Sequence, residues 1–166
     1  MPSKTCSVCG EKVVIPQKDW KYTHSSTDFI CSKECLLARI KYFGDCNNPS
    51  RNYHPSINLD PAQLSRASSH TLGLSFRSEF EAAVAEYLHT CALDFLYEPY
   101  SFDVEGHSYT PDFYIEPPYD CFIEVKGVFG IGGKRKLTTF LALYPEVNFI
   151  YIPWTMRDEF VNANFE

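Results

Sequence analysis

Nowhere in these 166 residues is there an apolar run long enough to cross a bilayer, which argues against a helical membrane anchor. No basic-then-apolar leader opens the sequence, so no secretory signal is expected and the setting reads as cytoplasmic. Internal repeats and low-complexity tracts are also lacking, leaving an ordinary globular chain as the expectation. Positive charge is scarce: 15 Lys and Arg stand against 21 Asp and Glu, a net charge of −6. The overall field of such a chain does not draw a polyanion toward it, so any contact with phosphate has to be local. A disulfide framework is disfavoured too. Seven cysteines is an odd number, and four of them form two close pairs, the pattern of metal binding in a reducing compartment. What the chain does have is 45% hydrophobic and 16% aromatic residues, enough for one ordinary core with a small satellite module.

The scarce cations are unevenly spread. Residues 1–46 hold seven Lys and Arg against five Asp and Glu, whereas the remainder holds eight against 16. The same N-terminal stretch carries the paired cysteines. Cys6-Ser7-Val8-Cys9 is followed, after 21 intervening residues, by Cys31-Ser32-Lys33-Glu34-Cys35, and four thiolates in two pairs suit tetrahedral zinc. Gly10 fits a tight knuckle after the first pair. Leu36, Leu37, Ile40 and Phe43 form a helical stripe after the second, placing Cys31 and Cys35 one turn apart at a helix start. His24 could substitute for a ligand, but four cysteines make it unnecessary. A closed set of four thiolates points to structural zinc, because a catalytic zinc keeps a position open. The arrangement resembles treble-clef zinc fingers. Cys46, Cys91 and Cys121 have no partner at metal spacing and read as core or surface thiols.

These signals divide the chain into a zinc-binding module over 1–46, a linker over 47–72 rich in Asn, Ser and Pro with a helix start expected at Asp60-Pro61, and a second domain over 73–166. In the last, periodicity gives the order helix, three strands, helix, strand. Phe80, Ala83, Val84, Tyr87 and Leu88 share a face of a helix over about 77–90, and strands follow near 95–103, 108–115 and 121–126. Glu116-Pro117-Pro118-Tyr119-Asp120 joins the last two as a hairpin. A glycine-rich loop over 127–133 leads to a helix over 136–144, and the apolar run 147–152 returns as a buried strand by a crossover. The fold class is therefore α/β, with a mixed sheet and a small N-terminal zinc module.

Within that order one pattern carries chemistry. Alternate side chains of a strand share a face, so Glu124 and Lys126 point one way while Ile123 and Val125 point the other. A Glu-x-Lys pair alone reads as a solvated strand face. Pro111, however, has no amide hydrogen for a sheet and forces Thr110 out of the helical region, a break that can turn Asp112 toward the next strand. Two carboxylates on adjacent strands are a hard oxygen site for Mg²⁺ or Mn²⁺, and a lysine beside them can orient or deprotonate a water. Lys134-Arg135-Lys136 places three cations at a helix start, against the macrodipole, where a bound phosphate would satisfy both side chains and amides.

Pro111-Asp112 followed by Glu124-Val125-Lys126 resembles the signature of the PD-(D/E)xK nuclease superfamily. Phe76-Arg77-Ser78-Glu79-Phe80-Glu81, His107-Ser108-Tyr109-Thr110-Pro111-Asp112-Phe113 and Glu124-Val125-Lys126-Gly127 resemble, in that order, the phage endonuclease I type of Holliday-junction resolvase. The likeness covers about 76–152 and leaves out the N-terminal third. It implies that Asp112 and Glu124 bind Mg²⁺ and that Lys126 assists the attacking water. Periodicity does not choose between Glu79 and Glu81, whereas the likeness selects Glu81 as a further acid of the site; Ser78-x-x-Glu81 also fits a helix-capping box. Glu98 and His107 match positions flanking the resolvase site. Implied as well are branched or junction DNA as substrate, a homodimer, and the cytoplasm of a bacterial host. Two alternatives stay open: a site-specific endonuclease of restriction or homing kind that reads bases with the zinc module, and a non-catalytic, zinc-dependent nucleic-acid-binding protein.

Overall fold

The computed structural model describes residues 2–19, 27–46, 53–58, 67–69, 72–125 and 132–162. It is a mixed α/β fold. A short antiparallel ribbon, β1 (Ser3–Thr5) and β2 (Lys12–Val14), precedes helix α1 (Lys33–Asp45). Ser32 caps α1, its hydroxyl accepting the amide of Cys35 at 3.2 Å. The expected stripe is the buried face: Leu36, Ile40 and Phe43 are buried and Leu37 packs at its edge. The expected helix start at Asp60-Pro61 lies outside the described residues, as does His24. The stretch read as a linker contributes two short strands instead. These are β3 (Ser56–Ile57) and β4 (Ala67–Ser69), the latter paired with β5 (Leu74–Phe76).

Helix α2 (Glu79–Thr90) is capped by Ser78, whose hydroxyl accepts the Glu81 amide at 3.1 Å. Its Ala82-Ala83-Val84-Ala85 run is buried, so α2 is covered on more than the single face that its apolar stripe predicts. The two long strands expected next are each broken in the middle. Residues 95–103 become β6 (Phe95–Tyr97) and β7 (Tyr100–Val104), and 108–115 become β8 (His107–Tyr109) and β9 (Phe113–Ile115). The breaks fall at Glu98-Pro99 and Thr110-Pro111, where proline supplies no amide to a ladder. They lie side by side, joined by the Glu98 amide donating to the Asp112 carbonyl at 2.8 Å. Beyond them the chains part into different sheets. β6 and β9 enter a four-stranded sheet with β10 (Cys121–Val125) and β11 (Asn148–Ile152), in the order β11-β10-β9-β6, whereas β7 and β8 form a second sheet with β3. The expected hairpin and crossover are both present: β10 is antiparallel to β9 and parallel to β11. Helix α3 (Gly133–Leu143) makes the crossover.

The four-stranded sheet divides the interior. Cys121, Ile123 and Val125 of β10, Phe113 and Ile115 of β9, and Ile150 and Ile152 of β11 join a core with α1 and α2. The alternate residues Phe122 and Tyr151 join a second cluster with Leu137 and Phe140 of α3 and with Phe102, Val104 and Tyr109 of β7 and β8. Glu124 has the parity of Phe122, so it stands on the α3 side, between the two sheets. After β11 a 3-10 turn over Trp154–Met156 leads to a short helix, α4 (Arg157–Val161). There Phe160 packs on Phe80 and Tyr87, and Trp154 meets Phe80 edge-on. Among the described residues no helix is long and apolar enough to cross a membrane.

The N-terminal module docks firmly on this core. Lys33 donates its amide to Glu159 at 2.8 Å and accepts the Tyr87 hydroxyl on its carbonyl at 2.9 Å. At the far end of α1, Gly44 lies against the ring of Tyr119 from the β9–β10 turn, where an added Cβ would sit 2.8 Å from Cδ1. Alanine normally stabilises a helix interior by about 1 kcal/mol over glycine. Here overpacking, typically about 1–3 kcal/mol, outweighs that gain. Gly44→Ala is therefore expected to lower the urea midpoint, and adding Tyr119→Ala to give Gly44→Ala a stabilising sign. A Gly44→Ala protein more stable than wild type would show that α1 does not pack there.

Candidate active site and metal centre

The four paired cysteines converge. Cys6 and Cys9 come from the knuckle after β1, where Gly10 takes φ +79° and donates its amide to the Cys6 carbonyl. Cys31 and Cys35 flank the Ser32 cap of α1. All four Sγ atoms lie within 4.8 Å of one another. Tetrahedral zinc, with Zn–S near 2.3 Å, sets its sulfurs about 3.8 Å apart. Cys9–Cys31 is 3.6 Å and Cys31–Cys35 is 3.7 Å, so the set fits a zinc ion. Burial pushes the Cys6 thiol up, but the amides around Cys9, Val8 and Cys31 outweigh it and bring Cys6 down to about 6. Burial and the neighbouring sulfurs push Cys31 up to about 12. The sulfurs thus share protons that a divalent cation would displace. Cys121 is buried core, and Cys46 and Cys91 are partly exposed.

A second site lies where the paired strand breaks face α3. A cleft of about 820 Å³ opens there, lined by Asp112, Glu124, Glu98 and Arg77 together with Arg135 and Lys136 of α3. Asp112 and Glu124 are 8% and 5% exposed, rare for carboxylates and costly unless they are bonded. Both are. The Val125 amide donates to Asp112 Oδ2 at 2.7 Å, tying the residue after Pro111 to the strand that bears Glu124. Tyr109, buried beside them, donates its hydroxyl to Glu124 Oε2 at 3.0 Å. Burial first, then the charges of Glu124 and Asp112, hold the Tyr109 phenol well above its usual range, so it remains a donor. These carboxylates are hard oxygen donors facing one cleft and could hold a divalent cation.

Glu81 and Glu79 have separate fates. Glu79 is exposed and pairs with Arg157 at 3.1 Å. Glu81 is buried and accepts the hydroxyl of Tyr97, and it is not among the residues that line the cleft. The Ser78 half of the capping box is present as well. Burial raises Glu81 above the usual carboxylate range; bonds from Tyr97 and Ser78 lower it, and the charge of Glu98 raises it again, leaving a net upward shift. A raised folded-state value means that the native protein binds this proton more tightly than the unfolded chain does. The associated stability is complete at acid pH and is lost as pH rises through the folded value. Glu81→Gln keeps an acceptor for Tyr97 without the charge. It is expected to match wild type in acid and to exceed it in unfolding free energy at neutral pH, read by urea titration without added divalent ions. A variant less stable at neutral pH than in acid, relative to wild type, would contradict this.

Sequence-derived candidates are therefore brought together in part. Asp112 and Glu124 share the cleft, and Arg135 and Lys136 line it from the first turn of α3, which carries no acid. Lys134 is exposed on the same turn, outside the described lining. Lys126 and the glycine loop over 127–131 lie outside the described residues. His107 lines the cleft at the mouth of the β7–β8 hairpin, whose turn residues Glu105 and Gly106 both take positive φ. The sequence pattern assigned no role to Arg77 or Tyr109, and placed Glu98 only, by resemblance, at a position flanking the site. Only Glu98 carried a local signal, the Pro99 after it. Tyr109 reaches the cleft through the pairing of β8 with β7, and Arg77 through its ion pair with Glu98, neither of which a local pattern spells out.

No protein-family model and no solved structure matches the chain. Over 78 residues, 45% of this chain and 51% of the relative, the sequence is 32% identical to an Endonuclease I of Escherichia phage T7. The chain thus spans about half the length of that curated relative.

Proposed function

We propose that this protein is a metal-dependent DNA endonuclease of PD-(D/E)xK type, selective for branched or junction DNA. The observation that carries the reading is the cleft that Asp112 and Glu124 line together with Arg135 and Lys136; the similarity to Endonuclease I supports the reaction class. Asp112 and Glu124 would hold Mg²⁺ or Mn²⁺, with Glu81 as a further acid. Such an ion, when bound, supplies Lewis-acid polarisation of the phosphate and lowers the pKa of a water. The chain's own residues do the rest. The Val125 amide and the Tyr109 hydroxyl fix the two carboxylates, so no reorganisation is needed as substrate enters. Lys126, two residues beyond Glu124 in sequence, is the group that would orient or deprotonate the attacking water. Lys134, Arg135 and Lys136 would grip the phosphate backbone, which gives an acidic chain the local positive surface it needs.

The same reading takes residues 1–46 as a structural zinc module, 47–72 as the connection and 73–166 as the nuclease domain. A homodimer suits a junction, which presents two equivalent strands; sedimentation with and without a four-way junction would measure it. The deciding assay compares four-way junction, mismatched, linear and single-stranded DNA, and RNA, in Mg²⁺ or Mn²⁺. Fastest cleavage of the junction is expected. A discrete ladder on one linear duplex would favour site-specific cleavage, and binding without metal-dependent turnover would favour a non-catalytic role.

A further inference from the structure

The cleft contains an ion pair that the reading above does not use. Arg77 donates from Nε to Glu98 Oε1 at 2.8 Å and from Nη2 to Oε2 at 3.5 Å. Glu98 is constrained on every side. Its carboxylate is 5% exposed, its backbone takes φ +49°, its amide is bound to Asp112, and its carbonyl accepts Asn58 Nδ2 at 2.9 Å. Positive φ in a non-glycine residue, together with a buried charge, costs free energy that surrounding bonds must offset, and such positions cluster at functional sites. The Arg77 side chain, by contrast, is 57% exposed. Two of its five N–H donors are engaged by Glu98, and its backbone amide is held by the Tyr97 hydroxyl at 3.2 Å. The guanidinium is thus held by a rigid partner while Arg77 lines the cleft that Asp112 and Glu124 share.

We propose that Arg77 is a substrate phosphate-binding residue and that Glu98 is its positioning residue, so that the cleft holds the nucleic-acid backbone from both sides: Arg77 on the strand-break side, Arg135 and Lys136 on the α3 side. This rests on the nuclease reading and deepens it. A guanidinium pinned along one edge presents its other edge in the plane that matches two phosphate oxygens, which a lysine does not reproduce. Glu98 fixes this orientation by accepting from Nε and Nη2 with its two carboxylate oxygens.

The test measures binding of a fluorescent four-way junction to the full chain without added divalent ion, its salt dependence, single-turnover cleavage in Mg²⁺, and Mn²⁺ affinity by calorimetry. Arg77→Gln should weaken junction binding roughly 10- to 100-fold and reduce the salt slope by about one phosphate contact. Arg77→Lys should restore the slope but not the cleavage rate. Glu98→Gln should lower cleavage while leaving both the salt slope and Mn²⁺ affinity unchanged. Wild-type binding and slope in Arg77→Gln would overturn the proposal, as would weakened Mn²⁺ binding in Glu98→Gln, which would make Glu98 a metal ligand. If Glu98→Gln fails to fold, Arg77→Lys decides alone, because that side chain is largely exposed. A wild type that neither binds nor cuts any nucleic acid overturns both this proposal and the nuclease reading, whereas Glu124-dependent cleavage indifferent to Arg77 overturns this one alone.

Discussion

Glu124→Gln is expected to cut the single-turnover cleavage rate by roughly 10³-fold or more, about 4 kcal/mol of transition-state stabilisation, while the protein becomes more stable in the absence of divalent ions. Both effects have one origin. Glu124 is buried beside Asp112, and together they act on the Tyr109 phenol, so the native state confines two negative charges in a shared, poorly solvated space. A cation would relieve that repulsion and use it; the amide relieves it and leaves nothing to bind a cation. Glutamine is the informative replacement, because it still accepts the Tyr109 hydroxyl that donates to Glu124 Oε2. Alanine would leave that hydroxyl buried and unpaired, at about 1–3 kcal/mol, and would mix a folding defect with a chemical one. Asp112→Asn should behave like Glu124→Gln, its amide oxygen retaining the Val125 amide. Thermal melts and cleavage assays on the same samples check this. A glutamine variant that still cleaves at near the wild-type rate would remove Glu124 from the site.

Loss of zinc is expected to have the largest effect on stability. Structural zinc contributes about 10–16 kcal/mol in zinc-finger peptides, comparable with the whole stability of a typical domain, about 5–15 kcal/mol. In this chain the effect should not stay local. Cys6 and Cys35 are buried in the same core as Leu36, Ile40 and Phe43 of α1 and Phe80, Val84 and Leu88 of α2. α1 is tied to α2 and α4 through Tyr87 and Glu159. Releasing the knuckle frees α1, and freeing α1 uncovers β11 and the core that α1 shares with α2. A zinc chelator, or Cys35→Ser, should therefore lower the melting temperature by well over 10 °C, at roughly 2–4 °C per kcal/mol for a chain of this size. Cleavage should be lost with it. Metal analysis of purified protein should give one zinc per chain. Protein that contains no zinc and melts unchanged after chelation would rule out a structural role for the four thiols.

Much of this arrangement was legible before any coordinates. Cysteine pairs announce a metal site by spacing alone, since a knuckle and a helix start are short-range structures. The stripe of α1, the alternation of β10 and the parallel return of β11 follow from periodicities of 3.6 and 2, which are properties of one element at a time. The Pro111 break also carried its own reason: proline cannot join a ladder, and the next residue does turn toward β10. Less legible were the strands on either side. Residues 95–103 and 108–115 read as two continuous strands, because a strand that leaves one sheet for another keeps the same alternation throughout.

Sequence by itself thus determined the mixed α/β class and nominated the four thiols and the Asp112–Glu124 pair, because periodicity, ligand spacing within each cysteine pair, the Pro111 break and the parity of β10 are each written in short stretches of chain. Only tertiary structure decided that Glu79 faces solvent and Arg157 while Glu81 is buried against Tyr97, as the two glutamates flank the same stripe and differ only in what packs over them. Tertiary structure alone also put α1 into the main core and brought Arg77, Glu98 and Tyr109 to the cleft. The physical reason is the same in each case. Those positions are set by pairing and packing between residues 15 or more apart in the chain, such as Tyr109 with Glu124 and Arg77 with Glu98, and their free energy is absent from any local window of sequence.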